Sequence, residues 1–71
     1  MTPEIGLYQH YKGGLYRVIA IGVDEATKGR IVIYQSIEDS SWWTRPIADF
    51  IDRVFVDGYT RDRFAKLAAW P

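Results

Sequence analysis

The sequence predicts a small, mainly β domain, an SH3-like barrel of four or five antiparallel strands with one helical turn. Three observations lead there. Two segments, residues 15–23 and 30–35, concentrate β-branched and aromatic side chains of the kind that pack on a pleated surface. Glycine-containing turns at Gly13-Gly14, Lys28-Gly29 and Asp57-Gly58 separate short elements, and glycine accepts positive φ without a Cβ clash. A helical spacing surfaces after Pro46, where Ile47, Phe50, Ile51 and Val54 recur every three or four residues.

In chain order, residues 8–11 form a short strand and Lys12-Gly13-Gly14 turns it back. The register of that hairpin stays open. A two-residue Gly13-Gly14 loop sets Tyr11 opposite Tyr16, whereas a three-residue loop from Lys12 to Gly14 sets His10 there; one slip exchanges the faces. Residues 15–23 are the main strand, and Gly22 is placed where a bulge or bend would fall. A polar turn at 24–29 leads to the second strand, centred on Ile31-Val32-Ile33-Tyr34. Residues 36–41 are a loop, 42–44 a third strand ended by Arg45-Pro46, and 46–52 a helical turn opened by proline. Val54 to Val56 form a last strand, and Thr60 caps a short C-terminal helix with Phe64, Leu67 and Ala68 on one face. The alternative architecture is an open α+β sheet with that helix packed across it. Residues 68–71 either fold back over a barrel opening or form a dimer contact.

Composition bounds the function. Seventy-one residues make a single domain, 1–71, with no repeat or linker. The absence of cysteine excludes disulfides and thiolate zinc sites, and a lone histidine argues against an imidazole zinc site. No cofactor or metal is expected. Stability must come from packing the three Trp, five Tyr and three Phe, or from homodimerisation. Nine basic and nine acidic residues cancel, which weighs against non-specific gripping of a phosphate backbone. The start, Met1 to Gly6, lacks the basic-then-apolar pattern of a signal peptide. No apolar run approaches the roughly 20 residues that span a bilayer. A cytoplasmic protein without a membrane partner is the expectation.

The pattern Gly6-x-Tyr8-x-His10-Tyr11-Lys12-Gly13-x-x-Tyr16-x-Val18 continues with Thr27, Val32-x-Tyr34, Trp43-x-Arg45-Pro46, Phe50, Gly58 and Arg63-Phe64. It resembles a bacterial family known as domain of unknown function 1653, over nearly the whole chain. The chain departs from that pattern at Ala26, where the family has glutamate, and at residues 36–39, where a Leu-Tyr-Gly-like stretch is replaced. The resemblance implies a small, mostly β bacterial domain and no established activity.

Two clusters carry the candidate chemistry: Tyr8, His10, Lys12 and Tyr16 around the first turn, and Trp43 with Arg45 on one side of an extended segment. Aromatic faces beside cations suit stacking on bases or filling a partner's pockets. The bland readings are a hydrogen-bonded strand histidine, and a core Trp43 with Arg45 laid over a ring. Of Trp42 and Trp43, one is expected buried and the other exposed. A serine triad can be written from His10 with Ser36, Ser40 or Ser41, but no nucleophile-elbow pattern surrounds any of them. The expectation is a non-catalytic binding module with a nucleotide, oligonucleotide or protein segment as ligand. An enzyme or enzyme accessory using His10, and a structural homodimer, are the alternatives.

Overall fold

The two β-branched runs form the heart of the molecule, as β2 (Leu15–Val23) and β3 (Arg30–Ser36), paired antiparallel through the 24–29 turn. The computed structural model describes residues 2–69. Around that pair lie β1 (Gly6–His10), β4 (Trp42–Pro46), the single turn α1 (Ile47–Phe50), the hairpin β5 (Arg53–Val56) and β6 (Tyr59–Asp62), and β7 (Phe64–Ala69). The result is a five-stranded antiparallel sheet in the order β4-β3-β2-β1-β7, with β5-β6 as a separate two-stranded sheet. Among the described residues no helix is long and apolar enough to cross a membrane.

Register decides the core. Val18 lies opposite both Gly6 and Tyr34, and Tyr34 lies opposite Trp43, so one face collects a row across four strands. An extra residue in β2, Ile19, breaks the pairing between Val18 and Ala20. The bulge resets the alternation, so that Ile21 rather than Ala20 faces Val32. The buried set is Tyr8, Val18, Val32, Tyr34, Phe50 and Phe64. Phe50, delivered by α1, stacks on Phe64 from β7 with ring centroids 4.1 Å apart. Tyr34 meets both rings edge-on, at 5.4 Å and 5.5 Å. Each such pair is worth about 0.5–1.5 kcal/mol beyond the area it buries. In a chain this short these rings replace the staples that small domains otherwise need.

Several expectations are corrected. The first hairpin adopts neither register considered: Tyr8 pairs with Tyr16, and the loop is Tyr11-Lys12-Gly13, closed by His10 N–H donating to the Gly14 carbonyl at 2.8 Å. The reason is conformational: Gly13, at φ 108°, takes the left-handed position that ends a three-residue loop. The bulge expected at Gly22 falls at Ile19, and Gly22 stays in regular register with Ile31. The C-terminal helix is absent, and with it the open α+β alternative. Asp57 and Gly58 both have positive φ, 52° and 81°, the signature of a type I′ turn. Tyr59–Asp62 therefore folds back on β5, and Phe64–Ala69 pairs with β1. Pairing with the free edge of β1 outweighs a local helical spacing, which is a weak prior. Ala68 and Ala69 lie in β7, while Trp70 and Pro71 fall outside the described residues.

Candidate ligand-binding face

The loop between β3 and β4 sets the geometry of the exposed tryptophan. Ser36 Oγ accepts the Glu38 N–H at 3.2 Å, and Ser40 takes a positive φ of 61°, which folds the loop tightly. Asp39 Oδ1 then accepts from the Ser41 N–H at 3.0 Å and from the Ser41 hydroxyl at 2.6 Å. That hydroxyl oxygen in turn accepts the Trp43 indole N–H at 2.7 Å. The Ser41 donors hold the Asp39 carboxyl below its usual pKa. Trp43 is thus 52% exposed yet oriented by a fixed acceptor. Trp42, 60% exposed, pairs with Gln35 and points to the opposite face. The expectation that one of the two would be buried is corrected: β4 is an edge strand, and neither side of its start is covered.

Arg45 shares the Trp43 face, opposite Val32. Its guanidinium carbon sits 5.7 Å from the Phe64 ring centroid, and its Nε donates to the Tyr34 hydroxyl at 3.4 Å. The contact is notable because β4 and β7 are the two outer strands of the sheet. Sheet curvature brings the Arg45 side chain within cation–π range of a ring on the opposite outer strand. Tyr16 adds its ring edge-on to Tyr34 at 5.4 Å and to Phe64 at 5.8 Å.

His10 packs edge-on against Phe64 at 4.8 Å and beside Tyr11 at 4.6 Å. Its Nδ1 accepts the Lys12 backbone N–H at 3.2 Å. The neutral ring therefore carries its proton on Nε2 and presents a donor. Partial burial, followed by the nearby charges of Arg45, Arg63 and Lys12, pushes the His10 pKa below the ordinary imidazole value of 6.5. A neutral donor in a positive surrounding suits holding an anion better than abstracting a proton. No hydrogen bond joins His10 to Ser36, Ser40 or Ser41 among the described residues, so the written triad has no geometric support.

The six residues singled out do not meet in one pocket. Tyr8 is buried, edge-on to Phe50, with its hydroxyl donating to the Glu4 carbonyl at 2.8 Å. It borders a cleft of about 460 Å³ spanned by the Lys66–Glu4 ion pair. His10, Tyr16 and Arg45 converge on Phe64, Trp43 stands next to Arg45 on the same face, and Lys12 lies at the hairpin tip near Tyr11. Sequence reasoning missed Tyr34 and Phe64, around which the others gather. The alternation Val32-x-Tyr34 marks Tyr34 as inward, but Phe64 was hidden by the helical reading of its segment. No group of His, Cys, Asp or Glu side chains among the described residues is placed to hold a metal ion.

A family model described as "Protein of unknown function (DUF1653)" matches residues 6–66, which include every residue of this face. The chain belongs to that family. The crystal structure of a DUF1653 protein from Bordetella bronchiseptica has the same fold, with a TM-score of 0.87 over 97% of this chain and 92% of that one, at 22% identity. No curated protein matches the chain. Of the two departures from the DUF1653 pattern, Ala26 lies in the β2–β3 turn, where its N–H donates to Asp24. The 36–39 departure carries Asp39, which supports Ser41 and so the Trp43 indole.

Proposed function

We propose that this DUF1653 protein is a non-catalytic binding module that takes a nucleotide or short single-stranded oligonucleotide by stacking a base on Trp43. One observation carries the reading. Trp43 is exposed but anchored through Ser41, and it stands beside a cation, Arg45, that is itself fixed over Phe64. A preorganised ring loses little freedom on binding, and every base offers a π-face to it. Arg45 and His10 supply donors alongside. The finer architecture we read as an SH3-like barrel. In its support, β7 returns beside β1 after a helical turn, and Arg45 reaches across to Phe64. Such a module would work in the bacterial cytoplasm.

The test uses tryptophan fluorescence in a Trp42→Phe/Trp70→Phe background, which leaves Trp43 as the one emitter of the three tryptophans. Adenosine monophosphate or an oligothymidylate should quench the remaining emission saturably, and Trp43→Phe should remove the response. If nucleotides leave the emission unchanged to millimolar concentration, base stacking is excluded and a protein segment becomes the occupant to pursue.

A further inference from the structure

The fold makes a second concavity that stacking on Trp43 does not use. It has a volume of about 580 Å³ and lies between the end of β1 and the β5–β6 hairpin, lined by Gln9, His10, Arg53, Thr60, Arg61 and Asp62 among others. Its charges do not balance. Asp62, the carboxylate in the cleft, is held by Arg53 at 3.6 Å. Asp52 nearby is matched by Arg63 at 3.7 Å. Arg53 also donates to the Thr60 carbonyl at 3.4 Å, which fixes it along the hairpin. That leaves Arg61 in the cleft wall, exposed and with no ion pair to any described carboxylate. Around the His10 side stand Lys12 and Arg45, likewise without ion pairs among the described residues. The chain as a whole is neutral, so this local surplus is a matter of placement rather than composition.

Neutral donors complete the set. Thr60 brings a hydroxyl and Gln9 an amide, and His10 carries its proton on Nε2 because Nδ1 is occupied by the Lys12 N–H. A charged guanidinium flanked by neutral donors, with its neighbouring carboxylates already engaged, is the chemistry that recognises a phosphate oxyanion.

We propose that the cleft between β1 and the β5–β6 hairpin is a phosphate-binding site, with Arg61 as the principal cation and Thr60, Gln9 and His10 as neutral donors. The proposal rests on the nucleotide reading for the identity of the ligand: the base stacks on Trp43 and the phosphate end lies in the cleft. The field of Lys12, Arg45 and Arg63 that disfavours an imidazolium at His10 is the same field that would draw a phosphate there.

The experiment separates the two halves of the ligand. Inorganic pyrophosphate, which has no base, and adenosine, which has no phosphate, are titrated separately at low salt while amide and indole NMR signals are followed. Pyrophosphate should move the amides of His10, Thr60 and Arg61 saturably. Arg61→Ala should weaken that binding about tenfold, the scale of losing one charge-assisted hydrogen bond, and Arg61→Lys should restore part of it. Arg61 is exposed, so an unchanged amide spectrum elsewhere will verify the fold of each variant. Pyrophosphate that moves nothing in the cleft, or binds Arg61→Ala as tightly as the native chain, overturns the phosphate site even if adenosine shifts Trp43. Pyrophosphate bound in the cleft while adenosine leaves Trp43 untouched supports the phosphate site and removes the stacking reading instead.

Discussion

Protonating His10 would place a cation among Lys12, Arg45 and Arg63, on a ring already partly withdrawn from water. Burial first, and those three charges after it, hold its pKa in the fold below 6.5. In the unfolded chain the imidazole returns towards its ordinary value, so as pH falls the unfolded state takes up the proton first. The stability that neutral His10 contributes is therefore complete above about pH 6.5 and is lost as pH falls through the depressed folded value. Thermal melts across that acid window should show a shallower decline in His10→Gln than in the native protein. Glu4 and Asp39, whose pKa values are also lowered, contribute their own acid sensitivity, but equally in both proteins. Parallel declines would remove His10 from the account. A second residue-scale prediction concerns the Trp43 anchor. Ser41→Ala removes the acceptor of the indole N–H. It should leave the domain folded, since the two exposed hydrogen bonds lost, to Trp43 and to Asp39, are each worth about 0.5–1.5 kcal/mol at most. Time-resolved anisotropy in the Trp42→Phe/Trp70→Phe background should then report a freer Trp43, and nucleotide affinity should drop several-fold.

Among the elements, β7 is the one on which the architecture turns, because it carries Phe64 to the core and supplies the fifth strand. Its approach to β1 depends on a missing side chain: a Cβ at Gly6 would lie 2.6 Å from the Ala68 carbonyl oxygen. Gly6→Ala should force the two strands apart at a cost on the order of 1–3 kcal/mol. Urea unfolding would measure the loss, and β7 amides should lose hydrogen-exchange protection before those of β2 and β3. Uniform protection across the sheet would contradict this. The same element marks the limit of what could be read from the chain. β2 and β3 were legible because five β-branched or aromatic residues crowd into 15–23 and four into 30–35, and burial on the inward face enforced the pattern. Residues 64–69 were not, because Phe64, Leu67 and Ala68 mimic a helical stripe, and only the edge of β1, a partner far away in sequence, selects the strand. The Asp57-Gly58 turn was legible as a turn, yet what it implies, a β-hairpin, required pairing Tyr59–Asp62 with β5. The site was legible to a similar degree. Trp43, Arg45 and His10 were visible as chemistry, but their common centre on Phe64 depends on curvature that no local spacing encodes.

At the scale of the whole molecule, one ring stack holds the fold and the face together. Phe64 touches Phe50, Tyr34, Tyr16 and His10 and lies under Arg45. Phe64→Ala removes all of these at once. A buried Phe-to-Ala change costs about 3–5 kcal/mol, a large share of the roughly 5–15 kcal/mol that holds a domain folded. Circular dichroism should find that variant substantially unfolded at room temperature, and a native-like spectrum with an unchanged melting temperature would mean the stack is not the centre of the core. Trp43 carries no such burden, so the face can be altered without losing the fold. Trp42 and Trp43 are adjacent, exposed to a similar extent and directed to opposite faces, which gives the molecule its own control. The most direct measurement is a titration of adenosine monophosphate followed at the indole N–H resonances, assigned with Trp42→Phe and Trp43→Phe. A specific stacking face predicts that the Trp43 indole signal shifts saturably while the Trp42 signal stays in place. Equal movement of both signals, or none from either at millimolar nucleotide, would contradict it.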